Sequence, residues 1–259
     1  MRRIRVIPVL LVDSSGGLIK TIKFGRRTYI GDPINAVKIF NDKGADELIL
    51  LDIDATRSGR EPNYQLIEDI ASEAFMPIGY GGGVNRIDQV KKLFYSGLEK
   101  VVVSTVVHER PDFIVEASEQ FGAQSIVVCL DIKKSLFGKS YTVSSRCGTQ
   151  KLKVDPVSHA NKVVMLGAGE LLLNSIDRDG TYAGYDLPFL RSITEAVNIP
   201  VVACGGAGSL DDFASAVNEA GCSAVAAGSM FVYQGKQRGV LISYPTESDL
   251  RSKLFQKIE

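Results

Sequence analysis

The sequence has no tryptophan and only two histidines, His108 and His159, which are far apart along the chain. Two isolated imidazoles give no metal-ligand spacing, so neither a zinc site nor any other metal or cofactor is expected. The four cysteines, Cys129, Cys147, Cys204 and Cys222, show no metal spacing either. Cys129 and Cys204 sit inside apolar runs, where a thiol behaves as a small buried hydrophobe. Net charge is also missing, with 30 basic residues balancing 30 acidic ones. That removes the electrostatic ground for nucleic acid or an anionic membrane as partner. No signal peptide is expected, and no apolar run is long enough to span a bilayer as a helix. A reducing cytoplasm is the expected setting.

What is present is repetition. Residues 126–133 read IVVCLDIK and residues 6–13 read VIPVLLVD. The two align position for position, and Asp131 falls on Leu11. GADEL at 44–48 matches GAGEL at 167–171, and YGGGV at 80–84 matches CGGAG at 204–208. Gly82 precedes Thr105 by 23 positions, as Gly206 precedes Ser229. One structural unit is therefore used twice.

Eight short apolar runs alternate with amphipathic stretches: 5–12, 47–53, 77–80, 100–105, 124–132, 170–176, 200–204 and 222–229. They are nearly continuous rather than alternating, so both faces should be buried, as in a parallel sheet. Helical stretches lie between them. Residues 33–44 follow Asp32 and Pro33, 86–97 end at Gly97, and 209–220 run from Ser209 to Gly221. The expectation is α/β: a single (β/α)8 TIM barrel over 1–259, with half-barrels of about 1–122 and 123–259. An open doubly wound sheet is the second choice, and the half-repeat argues against it. Chemistry in such barrels sits on loops after the strands. The first loop, 13–32, has the length of a lid and carries Lys20, Lys23, Arg26 and Arg27. Segment 136–150 alternates and is expected to form a small hairpin over the mouth.

Two glycine clusters with matched spacing point to two opposed phosphate sites. One comprises Gly81, Gly82 and Gly83 with Ser104 and Thr105. The other comprises Gly205, Gly206 and Gly208 with Gly228 and Ser229. Glycine permits close backbone approach, and turn amides hold phosphate oxygens. The ligand expected is a small molecule phosphorylated at each end. Asp131 at the end of strand 5, Asp179 in the DRDGT segment and Lys20 in the lid are candidate acid, base and orienting groups. Asp52 and Asp54 end strand 2, where either could bond neighbouring backbone or pair with Arg57 or Arg60. At the opposite barrel end Arg5, Glu47, Lys100 and Glu170 begin strands 1, 2, 4 and 6. Two positive and two negative groups there can neutralise one another in a ring, or each can be a solvated strand end.

These residues together resemble the cyclase subunit of imidazole glycerol phosphate synthase, the HisF family. DELILLDI, GYGGGV, LLLNSIDRDGTYAGYD and VVACGGAGSLDDF stand close to its signatures, and the likeness covers essentially the whole chain. The resemblance implies a barrel that takes ammonia from a glutaminase subunit docked at its base. Ammonia passes a charged gate and attacks a ribulosyl-linked intermediate at the mouth. The products are imidazole glycerol phosphate and an aminoimidazole carboxamide ribotide. On this mapping Arg5, Glu47, Lys100 and Glu170 match the gate, and Glu99 matches an acid facing the glutaminase. Lys20 matches a lid lysine, and Asp131 matches one of two catalytic aspartates.

The other catalytic aspartate falls on Leu11, which cannot transfer a proton. Asn174 stands where the family has Thr, Ser104 where it has Asn, and Asp54 where it usually has Thr. The departures cluster at the mouth while the base is unchanged. The reading favoured is a diverged paralogue that conducts ammonia to another acceptor. A branch of the family serves surface-polysaccharide pathways, where ammonia forms an amidino group on a sugar held by a sugar amidotransferase. A working histidine-pathway cyclase, with Asp54 or another group replacing the lost acid, is the alternative. A phosphosugar isomerase barrel is more remote.

Overall fold

The computed structural model describes residues 3–135, 140–235 and 237–258. The eight apolar runs become strands β1 (Arg5–Val12), β2 (Leu48–Asp52), β3 (Ile78–Gly81), β4 (Lys100–Val103), β5 (Ile126–Lys134), β6 (Glu170–Ser175), β7 (Val201–Cys204) and β8 (Ala224–Ala227). Each pairs in parallel with the next, and β8 pairs back onto β1. The sheet is closed, so the open doubly wound alternative is excluded. Closure removes the exposed strand edges that an open sheet would have to protect.

Helices Pro33–Asp42, Tyr64–Glu73, Ile87–Tyr95, Asp112–Phe121, Pro156–Met165, Leu187–Thr194 and Leu210–Asn218 surround the sheet. The sequence places two of their starts well, at Asp32 and at Ser209, whose side chain accepts from Asp212 N. Asp32 accepts from Asn35 N and Asp155 from Ser158 N, each followed by a first-turn proline. These are equivalent helices of the two halves, capped by the same Asp-Pro pair, which fills orphan amides and presets φ. Apolar side chains divide into two clusters. The larger packs strands against helices. The smaller fills the barrel with Ile7, Val9, Ile49, Val102, Val127, Cys129, Leu172 and Val202 among others. Continuous apolar strands are explained by these two buried faces.

The loop expected at 13–32 is largely a hairpin. Leu18–Thr21 pairs with Arg27–Gly31, and Leu18 and Ile19 pair antiparallel with Val12 and Leu11 of β1. The same occurs half a chain later, where Tyr141–Ser145 pairs antiparallel with residues 131–134 of β5. The hairpin expected at 136–150 is thus present in its described part. Residues 136–139 lie outside the described residues.

The histidines correct the sequence reading. His108 and His159 are not isolated but stacked, with ring centroids 4.5 Å apart. Both Nε2 atoms are buried without a partner. Burial, then His159 and Lys162, push the His108 imidazole down to about 4. Burial and Lys162 also lower His159. The unfolded chain binds protons near pH 6.5 that the folded chain refuses, so stability is complete above that pH and falls as pH drops toward 4. Thermal melting of His108→Phe should lose less over that window than the parent protein. Equal losses would show that the stacked pair contributes nothing.

Candidate active site at the barrel mouth

β1 and β5 occupy equivalent places in the two halves, and their inward residues at the mouth differ in kind. Leu11 is in register with Leu51 of β2. Asp131 is in register with Asn174 of β6. One side of the mouth is thus a Leu–Leu pair and the other an Asp–Asn pair. All four line a cavity of about 330 Å³ at the C-terminal ends of the strands. Ligand sites in barrels lie at this end.

Asp131 is buried. Burial pushes its carboxyl up to about 7, against the donors Asn174 and Cys129, which favour the anion. Asn174 Nδ2 donates to Asp131 Oδ1 at 3.3 Å, and Cys129 Sγ approaches the same oxygen at 3.7 Å. A carboxyl poised near neutrality can give or take a proton. Lys20 reaches inward from the lid and is 4 % exposed. Its Nζ donates to Val9 O at 2.5 Å. Burial lowers this ammonium to about 8, with Asp179 opposing. Asp179 accepts from Thr21 Oγ1 at 3.0 Å, and burial raises its carboxyl. Lys20, Asp131 and Asp179 all line the cavity.

The two acids of strand 2 are spoken for. Asp52 Oδ1 accepts from Asp54 N and Ala55 N, and Arg60 Nη2 binds Oδ2 at 3.0 Å. Asp54 takes both Arg27 amino groups, at 2.6 and 2.8 Å, and Ser14 N at 3.1 Å. Arg27 holds the Asp54 carboxyl below its usual range. Arg27 is the partner, rather than the Arg57 considered from sequence, because the lid hairpin brings it over β2. Arg27–Asp54 therefore ties the first hairpin to the loop after β2. Asp54→Thr should raise the rate of trypsin cleavage in the lid several-fold, since cleavage tracks the open fraction. An unchanged rate would show that the lid is held elsewhere.

The glycine clusters match at their centre, Gly82 with Gly206, while Gly83 stands opposite Ala207 and Gly205 opposite Gly81, neither of which has positive φ. Gly82 and Gly83 have φ of 126° and 72°, and Gly205 and Gly206 have 84° and 117°. A side chain on Gly82 would overlap Asp52 O, and one on Gly206 would overlap Gly184 O. Only glycine brings these loops so close to their neighbours. Ser104 and Gly228 precede short helices that start at Thr105 and Ser229, with similar φ, ψ of −135°, −74° and −107°, −72°. Gly82, Gly83, Ser104, Thr105, Gly205, Gly206, Gly228 and Ser229 all line the same cavity. One ligand could therefore touch both clusters.

At the other end of the barrel the four charges meet in a closed ring. Arg5 binds Glu47 at 2.5 Å and also Glu170, while Lys100 binds Glu47 at 2.9 Å and Glu170 at 2.8 Å. The carboxylates are buried and the cations partly open to the base, with Arg5 33 % and Lys100 17 % exposed in the side chain. Solvated strand ends are not what forms. Glu99 is exposed nearby, and its carboxylate accepts from Ile78 N at 2.7 Å.

Sequence reasoning missed Phe24, Arg146 and Cys147, which also line the cavity. Arg146 N donates to Thr105 Oγ1 at 3.0 Å, so the second hairpin reaches the first glycine cluster. The one signal in the RCGT turn was Gly148, because Arg146 and Cys147 also adopt positive φ there but residues of those types do not announce it.

A closed eight-stranded barrel with an enclosed, acid-bearing mouth is the layout of a barrel enzyme. The family described as histidine biosynthesis protein matches residues 5–238. A Vibrio vulnificus protein provisionally named imidazole glycerol phosphate synthase subunit hisF3 is 49% identical over 254 residues, covering 98% of this chain and 97% of the relative. A Pseudomonas aeruginosa protein provisionally named subunit hisF2 is 48% identical over 250 residues, covering 96% and 99%. The imidazole glycerol phosphate synthase subunit HisF of Streptomyces coelicolor is 43% identical over 228 residues, covering 88% and 90%. The chain belongs to the histidine biosynthesis protein family and is a HisF-type synthase subunit. Among the described residues no helix is long and apolar enough to cross a membrane.

Proposed function

We propose that this subunit works with a glutaminase, conducts the ammonia released there, and delivers it to an acceptor other than the histidine-pathway intermediate. The glutaminase would dock at the base, where the Arg5–Glu47–Lys100–Glu170 ring acts as the gate and Glu99 faces the partner. Ammonia would travel through the apolar interior, where Ile49, Val127 and Leu172 offer it no competing hydrogen bonds. At the mouth Asp131 would transfer protons, with Lys20 and Asp179 orienting the acceptor. The glycine clusters would hold phosphate groups on a small-molecule ligand.

The observation that carries the divergent part is the Leu11–Leu51 pair opposite Asp131–Asn174. Half of the expected proton-transfer pair is apolar. Asp54, the acid that could have replaced it, is bound by Arg27 and Ser14 N and does not line the cavity. The relatives bearing provisional, numbered names share 49% and 48% identity with this chain, against 43% for the Streptomyces protein. Amidination of a surface-polysaccharide sugar, with a sugar amidotransferase as third partner, fits an ammonia supplier whose own cyclising mouth is altered. A histidine-pathway cyclase is the alternative reading, favoured by the intact glycine clusters.

The test is co-purification with a co-expressed glutaminase from the same operon, followed by glutamine hydrolysis and ammonia transfer. A stable complex whose glutamine-derived ammonia reaches an amidotransferase acceptor supports the reading. Failure to bind any glutaminase contradicts it.

A further inference from the structure

The two donors that reach Asp131 fall on the same oxygen. Asn174 Nδ2 lies 3.3 Å and Cys129 Sγ 3.7 Å from Oδ1. Among the described residues no donor lies on Oδ2. Asn174 is itself fixed by its strand: it is the register partner of Asp131 across β5 and β6 and is 8 % exposed. Its Oδ1 is buried without a partner, so the amide spends its one hydrogen bond on the acid. A carboxyl oxygen that accepts a donor is the poorer place for a proton, because protonation there would break that bond.

We propose that Asn174 is a positioning residue: it holds Asp131 Oδ1 as a fixed acceptor and leaves Oδ2 as the oxygen that carries the proton into the cavity. This rests on the reading of Asp131 as the proton-transfer group, but its geometry can be tested without that reading. The half-repeat sharpens the point. Leu51, the equivalent of Asn174 on β2, faces Leu11 and has nothing to position. Donor and acid occur together in one half and are absent together in the other.

The test compares Asn174→Thr with Asn174→Val. The two side chains have nearly the same shape and suit a strand, but only threonine keeps a donor. Carbon-13 NMR of the Asp131 carboxyl, with the assignment taken from Asp131→Asn, follows its titration in each purified variant. Valine should titrate about one unit above threonine, because losing the donor destabilises the anion. Threonine should stay near the parent value, which is the rescue. Thermal melting of both variants confirms that they fold alike. A valine variant that titrates at or below threonine overturns the proposal, since the amide would then be accepting the proton of Asp131 rather than donating to it. If the titrations behave as expected but no ammonia transfer is found, the positioning role stands and the functional reading fails.

Discussion

Lys100→Met is expected to lower the free energy of unfolding by about 3 kcal/mol, as removal of one partner from a buried ion pair does. Glu47 and Glu170 are each 3–5 % exposed, and Lys100 touches both. Without it two carboxylates share Arg5 alone. The pH dependence should change as well. Burial raises the Glu170 carboxyl, but Arg5 and Lys100 outweigh it and leave the group below its usual range. A depressed carboxyl contributes stability above its unfolded pKa and loses it as pH falls through the folded value. Lys100→Met should therefore flatten the acid side of the stability profile. Adding Glu170→Gln should recover most of the loss, because it removes the uncompensated charge. Urea unfolding of the parent protein, the single variant and the double variant measures this. A loss below about 1 kcal/mol would place the ring among solvated surface pairs.

Leu11→Asp is expected to raise cyclase turnover by about 10²-fold or more, the typical contribution of a positioned acid or base. The new carboxyl would stand opposite Asp131 at the equivalent place of the other half. A like charge nearby would push Asp131 further above about 7, so the two acids would titrate apart. Their roles would separate, one holding a proton and the other accepting one. The cost is a carboxylate beside Leu51 and Ile19, the register neighbours of position 11. That should lower stability by about 1–3 kcal/mol. Turnover is measured with ammonium and the ribulosyl-linked intermediate. A folded variant with no gain would show that Asn174, Ser104 and the Arg27–Asp54 pair, not Leu11 alone, define the altered mouth.

The barrel was legible because its signal is carried by position. Continuous apolar strands, the helix starts at Asp32–Pro33 and Ser209 and the half-repeat each follow from local chemistry, and strand ends differ from expectation by only a residue or two. The ring at the base was half legible. Two positive and two negative strand starts suggested pairing, yet only closure of β8 onto β1 brings Arg5 within reach of both Glu47 and Glu170. Side-chain partners across loops were not legible. Arg27 reaches Asp54 because a hairpin folds back over β2, and hairpin register depends on turn geometry that composition does not specify. The stacking of His108 on His159 was hidden for the same reason, since 51 positions separate them. Leu11 could be singled out because the second half of the chain carries Asp131 at the equivalent place, and the family resemblance pointed to the same position.

The most direct measurement is the steady-state rate of the purified chain with ammonium and the ribulosyl-linked intermediate, beside the HisF of Streptomyces coelicolor under the same conditions. On the proposed reading, with Leu11 in place of a proton-transfer acid, the chain should turn over at least about 10²-fold more slowly. Equal rates would contradict the account, and the chain would then be a histidine-pathway cyclase that needs no carboxylate on β1.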